Sequence, residues 1–259
     1  MNLKLDLSLA KQYKSKSQIS RVLTENWLKV NSYCPNCNEP YLSEFENNRP
    51  VADFYCKKCN EEYELKSKNG HKIGGQIVDG AYDTMIERIN SDTNPSFFFL
   101  TYDNKSWMVN NLIIIPKHFF VTDIIIKRKP LSLKAKRAGW TGCNINLERI
   151  PQNGRIFLVK NSETISSDCV REKWNKTTFL KSKRKESRGW VLDVLNCLDR
   201  IDSNNFSLSD VYKFENELKI KYPDNNFIKD KIRQQLQVLR DRNIIEFKSR
   251  GNYKKINDL

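Results

Sequence analysis

Two pairs of cysteines in the first quarter of the chain constrain its fold more than any other feature. Cys34 and Cys37 form one C-x-x-C pair, Cys56 and Cys59 form a second, and 18 residues separate the pairs. This spacing is typical of a four-thiolate zinc site, in which each short turn places two sulfurs about 2.3 Å from a tetrahedral metal. Four thiolates leave no open coordination position, so we expect a structural zinc ion rather than a catalytic one.

The composition favours a polyanionic partner. The 259 residues include 45 Lys and Arg against 31 Asp and Glu, for a formal net charge of +14. Such an excess indicates nucleic acid first and an anionic membrane surface second. The first residues are too polar for a signal peptide, and no apolar run approaches the roughly 18 residues of a membrane helix. We therefore expect a cytoplasmic protein without a membrane segment, in which Cys143, Cys169 and Cys197 are buried thiols.

Alternating helix and strand patterns predict an α/β core over about the first 180 residues. A helical pattern runs through residues 19–28, and a strand is expected through residues 63–65, just after the second cysteine pair. A further helix is predicted over residues 76–89. Buried strands are predicted from apolar runs at residues 97–100, 112–115 and 155–159. The expected core is a mixed central sheet with flanking helices.

The sequence pattern changes after the basic segment 181–185, from alternating strands and helices to successive helices, and we place a linker there. Helical patterns follow over residues 189–201, 207–222 and 226–242. The second of these opens with Ser207 as a candidate N-cap, and a basic hairpin with a turn at residues 250–252 closes the chain. Three helices followed by a basic hairpin outline a winged-helix DNA-binding domain. We therefore expect domains over residues 1–183 and 184–259.

An acidic–lysine set surrounds the second cysteine pair. Glu64 and Lys66 share one face of the predicted strand because side chains alternate, and Asp53 lies on the strand before the pair. Asp53 and Glu64 can hold Mg²⁺ for phosphodiester hydrolysis, with Lys66 beside it to orient the attacking water. In a chain this rich in Lys and Glu, an E-x-K triplet also arises by chance on a solvated strand face. Pro50, three residues before Asp53, favours the catalytic interpretation.

Basic side chains concentrate before Trp140. Between residues 127 and 137 the cationic side chains are Lys127, Arg128, Lys129, Lys134, Lys136 and Arg137, with no acidic residue among them. This density favours a segment that grips phosphates and carries an aromatic tip at Trp140, with Lys136 and Arg137 closest to it in sequence. The alternatives are a solvated loop for the cations and a core position for the tryptophan.

The last predicted helix is suited to reading bases. Its apolar side is formed by Ile228, Ile232, Leu236 and Leu239, which turns Arg233, Gln234 and Gln237 outward. Glutamine can bond adenine in two places, and arginine can do the same with guanine. Arg250 belongs to the basic hairpin that follows. In a winged helix this would be the recognition helix, and the alternative is a polar face that only confers solubility.

Segments throughout the chain resemble the DpnI-type family of methyl-directed restriction endonucleases. The similarity is carried by residues 46–56, 64–68, 79–82, 94–102, 137–140 and 231–237. The resemblance implies a PD-(D/E)XK nuclease domain with a structural zinc ion, followed by a winged-helix domain. It also implies Mg²⁺-dependent cleavage of double-stranded DNA at GATC sites that contain N6-methyladenine. The partner would be methylated DNA, with no small-molecule substrate, and we expect a monomer.

Within this resemblance, residue roles carry over position by position. Asp53, Glu64 and Lys66 match the nuclease triad, and the four paired cysteines match the zinc ligands. Trp140 matches the aromatic position near the methyl-sensing surface; an adenine methyl group projects into the major groove, where an aromatic surface gains from contact with it. The chain departs from the family pattern at residues 71–76 and 162–185, which leaves loop contacts open. The alternative function is a non-catalytic, zinc-containing winged-helix regulator, which would not need the triad.

Overall fold

The chain folds into two compact units. The computed structural model describes residues 1–45, 52–91 and 93–256. One unit comprises Met1–Arg149 with Asn153–Asn175, and the other comprises Ile150–Gln152 with Lys176–Leu259. Residues 46–51 of the family-like segment 46–56, including Pro50, lie outside the described residues.

Strands and helices are interleaved in the first unit. In chain order they are α1 (Lys16–Asn31), β1 (Ser43–Glu44), β2 (Phe54–Tyr55), β3 (Glu62–Asn69), β4 (Gln76–Ala81), α2 (Tyr82–Ser91), β5 (Ser96–Asp103), β6 (Met108–Ile115), β7 (Ile125–Lys127), β8 (Gly142–Asn146), β9 (Ile156–Lys160), β10 (Glu163–Thr164) and α3 (Ser167–Thr177). Short 3-10 turns lie at Leu7–Ala10, Lys117–Phe119, Thr122–Ile124 and Leu147–Arg149. The predicted mixed α/β class is confirmed.

A mixed sheet forms the centre of this unit. Among the described residues it has seven strands in the order β1-β2-β3-β5-β6-β9-β10. β3 and β5 run parallel, with Glu64 beside Phe97, and the other neighbours are antiparallel. The predicted apolar strands are confirmed as β5, β6 and β9, and residues 97–100 and 112–115 are fully buried. Strands buried on both faces read as continuous apolar runs, which explains why the pattern was visible in sequence.

A parallel pair requires a long crossover, and here β4 and α2 provide it. β4 belongs to a second sheet with the order β4-β8-β7. The predicted helix over residues 76–89 is therefore wrong in its first half. Ile77 and Ala81 lie at helical spacing from Met85, but the chain is extended through Ala81 and becomes helical at Tyr82. A bulge between Asp79 and Ala81 interrupts the pairing of β4 with β8.

Helix α1 packs on one face of the central sheet. Leu23, Trp27 and Leu28 are buried in the same core cluster as Tyr63 of β3. Full burial of side chains of this size stabilises the fold by roughly 1.5–3 kcal/mol each. Thr24 on the helix also donates a hydrogen bond to Ser67 on β3, at 3.0 Å between the hydroxyl oxygens. Odd-numbered residues of β3 thus face α1, which leaves Glu64 and Lys66 on the opposite face.

The second unit is mainly helical. Its elements are α4 (Lys185–Asp199), β11 (Asn205–Ser207), α5 (Leu208–Tyr212), α6 (Glu215–Lys221), α7 (Ile228–Asp241), β12 (Ile245–Ser249) and β13 (Asn252–Lys255). A small antiparallel sheet has the order β11-β13-β12. Ser207 is the predicted N-cap: its hydroxyl accepts a hydrogen bond from Asp210 N–H, and the Asp210 carboxylate accepts one from Ser207 N–H. This reciprocal pair is a capping box.

The predicted helix over residues 207–222 is divided in two. α5 ends at Tyr212 and α6 begins at Glu215. Phe214 lies between them with φ −90° and ψ 3°, and its N–H bonds to the carbonyl of Val211, a tighter 3-10 type turn. No helix of the described residues is long and apolar enough to cross a membrane.

Candidate active site and metal centre

The four predicted zinc ligands converge. Their sulfur atoms all lie within 4.8 Å of one another. Cys34 Sγ is 3.5 Å from Cys59 Sγ, and Cys37 Sγ is 3.5 Å from Cys56 Sγ. Four sulfurs about 2.3 Å from a tetrahedral zinc ion lie about 3.8 Å apart, so a small contraction or expansion suffices to fit the ion. This cluster can hold zinc.

The two knuckles share one backbone design. Asn38 N–H donates to the carbonyl of Cys34 at 2.8 Å, and Asn60 N–H donates to that of Cys56 at 2.9 Å. Each asparagine follows the second cysteine of its pair in the left-handed region, with φ values of 63° and 57°. Asparagine tolerates this region better than most residues. The turn of each knuckle therefore arises from local sequence, and the four sulfurs converge because the two knuckles meet.

Neighbouring side chains hold the cluster in place. The Tyr63 hydroxyl lies 3.0 Å from Cys34 Sγ, where it can donate to a thiolate. Trp174 Nε1 of α3 donates to Asn36 Oδ1 in the first knuckle at 2.9 Å. Such outer contacts orient the ligands of a metal. Tyr63 is on β3 directly before Glu64, so one strand serves the cysteine cluster and the acidic centre.

The structure brings Asp53, Glu64 and Lys66 together. Asp53 immediately precedes β2, and its Oδ2 accepts a hydrogen bond of 2.7 Å from Leu65 N–H. Its own N–H donates to the carbonyl of Tyr63 at 2.9 Å. These bonds flank Glu64 and fix the Asp53 carboxylate beside it. The short strand β2 thus positions one acid of the set and β3 positions the other two residues.

Lys66 is held between two carboxylates. Its ammonium forms an ion pair with Glu64 Oε1 and lies 2.6 Å from Asp79 Oδ1. Arg88 Nη1 of α2 lies 3.7 Å from Glu64 Oε2. The sequence-based interpretation missed Asp79 and Arg88 as members of the centre. A signal existed for Asp79, since residues 79–82 are one of the family-like segments.

Electrostatics distinguish the roles of these groups. Burial raises the pKa of Asp53 and that of Glu64, and the Lys66 charge only partly opposes this effect. Burial alone would lower the pKa of Lys66, but Glu64 and Asp79 raise it well above its ordinary value. The two carboxylates therefore favour the ammonium form of Lys66.

The carboxylates suit a hard cation. Glu64 Oε2 is buried and has no hydrogen-bond partner among the described residues, so it retains capacity for a ligand. Mg²⁺ is usually held by one or two carboxylates together with waters and substrate phosphates. Among the described residues the cysteine cluster is the only set of three or more potential ligands that converge, so the acids form no complete cage by themselves. Asp53 and Glu64 are the residues that would hold Mg²⁺.

A further acid lies on the α1 side of β3. A cavity of 210 Å³ there is lined by Ser17, Ser20, Arg21, Thr24, Glu25, Leu65 and Ser67. Burial raises the pKa of Glu25 to about 7, and the nearby Asp53 charge adds to the effect against opposition from Arg21. Arg21 Nε is 3.6 Å from Glu25. Glu25 was also missed, because a single glutamate on a helical pattern carries no sequence signal.

The basic run forms an ordered loop, here named the basic tongue, over residues 128–141 between β7 and β8. Leu131 N–H donates to the carbonyl of Trp140 at 2.9 Å, and Gly139 N–H donates to that of Leu131 at 3.0 Å. Lys136 and Arg137 are exposed, and Leu133 is 93% exposed.

Trp140 is half-buried at the base of the tongue. The Arg137 guanidinium lies 4.7 Å from its ring centroid. A Cβ atom added to Gly142 would lie 2.9 Å from the ring, so a larger residue there would require the ring to shift. Trp140 is therefore neither a core residue nor a fully exposed one.

The predicted outward residues of α7 are exposed. Arg233, Gln234 and Gln237 all face solvent, whereas the neighbouring Gln235 is buried. Arg233 forms an ion pair with Asp230 one turn away. Arg250 is exposed in the turn between β12 and β13. These residues form a polar and basic face of the second unit.

Comparison with known families gives two matches. The model of the DpnI family, described as the Dam-replacing family, matches residues 1–183. A second model, described as the Dam-replacing HTH domain, matches residues 186–255. The first match alone spans more than half of the chain. The protein therefore belongs to the DpnI, or Dam-replacing, family and ends in that family's helix-turn-helix domain.

Proposed function

We propose that the protein is a type II restriction endonuclease that cleaves double-stranded DNA at GATC sites containing N6-methyladenine. Membership of the Dam-replacing family indicates a restriction nuclease, and the helix-turn-helix domain indicates DNA binding. The observation that carries the proposal is the meeting of Asp53, Glu64 and Lys66 at a partly buried site, where Glu64 Oε2 accepts no hydrogen bond from the described residues. A DNA-binding regulator would have no use for such a centre.

The proposed domains follow from the same resemblance. Residues 1–183 would form a PD-(D/E)XK catalytic domain with a structural zinc ion on the four paired cysteines. Residues 184–259 would form a winged-helix domain, in which α7 is the recognition helix and the β12–β13 hairpin is the wing. The proposed location is the cytoplasm, where thiolates remain available for zinc, and the proposed state is a monomer.

The chemistry assigned to the chain is phosphodiester hydrolysis. Mg²⁺ bound at Asp53 and Glu64 would supply Lewis acidity and lower the pKa of a water ligand. The Leu65 N–H bond fixes the direction of the Asp53 carboxylate before any ligand arrives. The Lys66 ammonium places a positive charge beside the site where negative charge grows on the scissile phosphate. With Lys66 as an ammonium between two carboxylates, the proton of the attacking water would leave to solvent or to a substrate oxygen.

Two surfaces are proposed to contact DNA. In the first unit, Lys136 and Arg137 of the basic tongue would bind phosphates, and Trp140 would sense the adenine methyl group. In the second unit, the exposed side chains of Arg233, Gln234 and Gln237 would reach base edges, and Arg250 would bind the backbone. The net charge of +14 supports a polyanionic partner of this kind.

The test uses matched plasmids that differ only in adenine methylation. The protein is incubated with Mg²⁺ and each plasmid, and Lys66→Ala is the matched control. We expect wild type to cut only the methylated plasmid at GATC, and Lys66→Ala to bind it but to cut it at a much lower, still measurable single-turnover rate. Equal cutting of both plasmids would contradict methyl dependence. Binding without any cutting by wild type would favour the regulator.

A further inference from the structure

Asp79 is the least exposed acid around the nuclease centre, and no part of the proposed chemistry uses it directly. Its side chain is 4% exposed, and its Oδ1 lies 2.6 Å from the Lys66 ammonium. We propose that Asp79 is the positioning residue for Lys66, fixing the ammonium between Asp79 and Glu64 so that its remaining N–H faces the reaction centre. This role rests on the proposed function and adds a fourth residue to the triad.

The groups around Asp79 favour its ion pair with Lys66. Its Oδ1 also accepts a hydrogen bond of 2.7 Å from Gly80 N–H, within the bulge between Asp79 and Ala81. Its Oδ2 is buried without a hydrogen-bond partner among the described residues. A buried carboxylate is unfavourable unless it is paired. A surface ion pair would not require such a position, so the burial itself indicates a directed contact with Lys66.

The pairing divides one ammonium between two acids. A lysine ammonium has three N–H donors, and here one faces Glu64 and one faces Asp79. The third would be left for the water or phosphate at the reaction centre. If Asp79 lost its charge, Lys66 would keep Glu64 as its one close acidic partner, and the ammonium would no longer be fixed between two acids. The other N–H donors would then lose their fixed direction toward the reaction centre.

The fold supports Asp79 from a different sheet than the one that carries Lys66. Asp79 lies on β4 and pairs with Cys143 of β8. Cys143 is three residues after Trp140 in the sequence. Tyr82 N–H also donates to the carbonyl of Thr141 at the end of the basic tongue. Asp79 therefore links the catalytic lysine to the small sheet from which the tongue extends. Lys66 alone, on β3, would have no such tie.

The experiment is a double-mutant cycle on single-turnover cleavage of methylated DNA. The proteins are wild type, Asp79→Asn, Lys66→Ala and the double variant, and Asp83→Asn is a control that removes the same charge from an exposed site on α2. We expect Asp79→Asn to lower the cleavage rate by about 10- to 100-fold. Its Kd for methylated DNA should stay within about twofold of wild type. The double variant should cut no more slowly than Lys66→Ala, because Asp79 acts through Lys66.

Each outcome separates this role from its alternatives. Rate losses that add in the double variant would show a general structural role and overturn the proposal. So would an Asp79→Asn rate within about twofold of wild type. If Asp79→Asn does not fold, as judged by its thermal melt, Asp79→Ser replaces it, with the same expectations. If wild type does not cut, the proposed function fails and this role with it, whereas normal cutting by both Asp79 variants overturns the role alone.

Discussion

The cysteine cluster and the acidic centre share strand β3 but are built in opposite ways. The cluster draws its ligands from two four-residue knuckles whose backbones repeat the same turn, and its sulfurs converge. The acidic centre gathers groups from the approach to β2, from β3, from β4 and from α2. Two of its buried oxygens, Glu64 Oε2 and Asp79 Oδ2, have no hydrogen-bond partner among the described residues.

Under the proposed function, this difference separates a centre that stabilises the fold from one that carries out a reaction. A structural metal site gains from ligands that are preformed and closed to substrate. A catalytic site must leave some polar atoms without partners until its cation and substrate bind. The fold tolerates the cost of these atoms only when the surrounding structure is rigid. The knuckles supply such support next to Asp53 and Glu64.

The largest effect should follow loss of the metal. Cys59→Ser, or removal of zinc by a strong chelator, should unfold the first unit, because structural zinc sites contribute about 10–16 kcal/mol of apparent binding free energy at pH 7. A thermal melt followed by circular dichroism, with zinc content measured in parallel, checks this. Cys169→Ser is the control, since Cys169 lies outside the cluster. An unchanged melting temperature after zinc removal would break the contrast.

Loss of Asp53 should leave the fold intact and remove the reaction. Asp53→Ala should lower single-turnover cleavage by at least about 100-fold, because a direct ligand of the cation is lost. Binding of methylated DNA, measured by gel shift, should be retained, and Asp83→Ala is the charge-matched control. Undiminished cutting by Asp53→Ala would mean that the centre has been misassigned.

Glu25 should make stability depend on pH. Its pKa is raised from 4.5 to about 7 in the folded state, so folding binds a proton between these values. The contribution is complete below pH 4.5 and is lost as pH rises through 7. Urea denaturation without added Mg²⁺ should show wild type losing about 1–2 kcal/mol relative to Glu25→Gln between pH 5 and 8, after allowance for solvent screening. Parallel pH profiles for the two proteins would refute this.

The smallest effect should come from the contact that adjoins both centres. Tyr63→Phe removes the hydroxyl 3.0 Å from Cys34 Sγ and should lower zinc affinity by about tenfold. Competition with a chromogenic chelator measures this, and Tyr55→Phe is the control on β2. Cleavage at saturating zinc should be unchanged, since the ring still packs in the core. A loss of cleavage instead would show that the two centres are coupled.

Features encoded within a few residues could be predicted from sequence. The knuckles, the capping box at Ser207 and the apolar strands β5 and β6 all depend on local patterns. The apolar side of α7 was equally visible, because four residues at helical spacing face the core.

Features that depend on distant partners could not be predicted in the same way. Asp79 acquires its role only when the crossover brings β4 against Lys66. The same crossover misled the assignment of residues 76–89, since Ile77 and Ala81 match a helical period while β8 holds them in a sheet. The division of the predicted helix over residues 207–222 has a different cause. A local turn at Phe214 interrupts it, and hydrophobic periodicity does not reveal such a turn.

The parallel pairing of β3 with β5 also orders events during synthesis. A chain is made from its N-terminus, and all four cysteines precede β4, so the knuckles can capture zinc while the ribosome is still adding residues. Lys66 lacks its ion pair with Asp79 until the crossover and β5 have been synthesised and have packed against β3. A nascent chain would therefore complete the cysteine cluster before Asp79, the second acid beside Lys66, has been made.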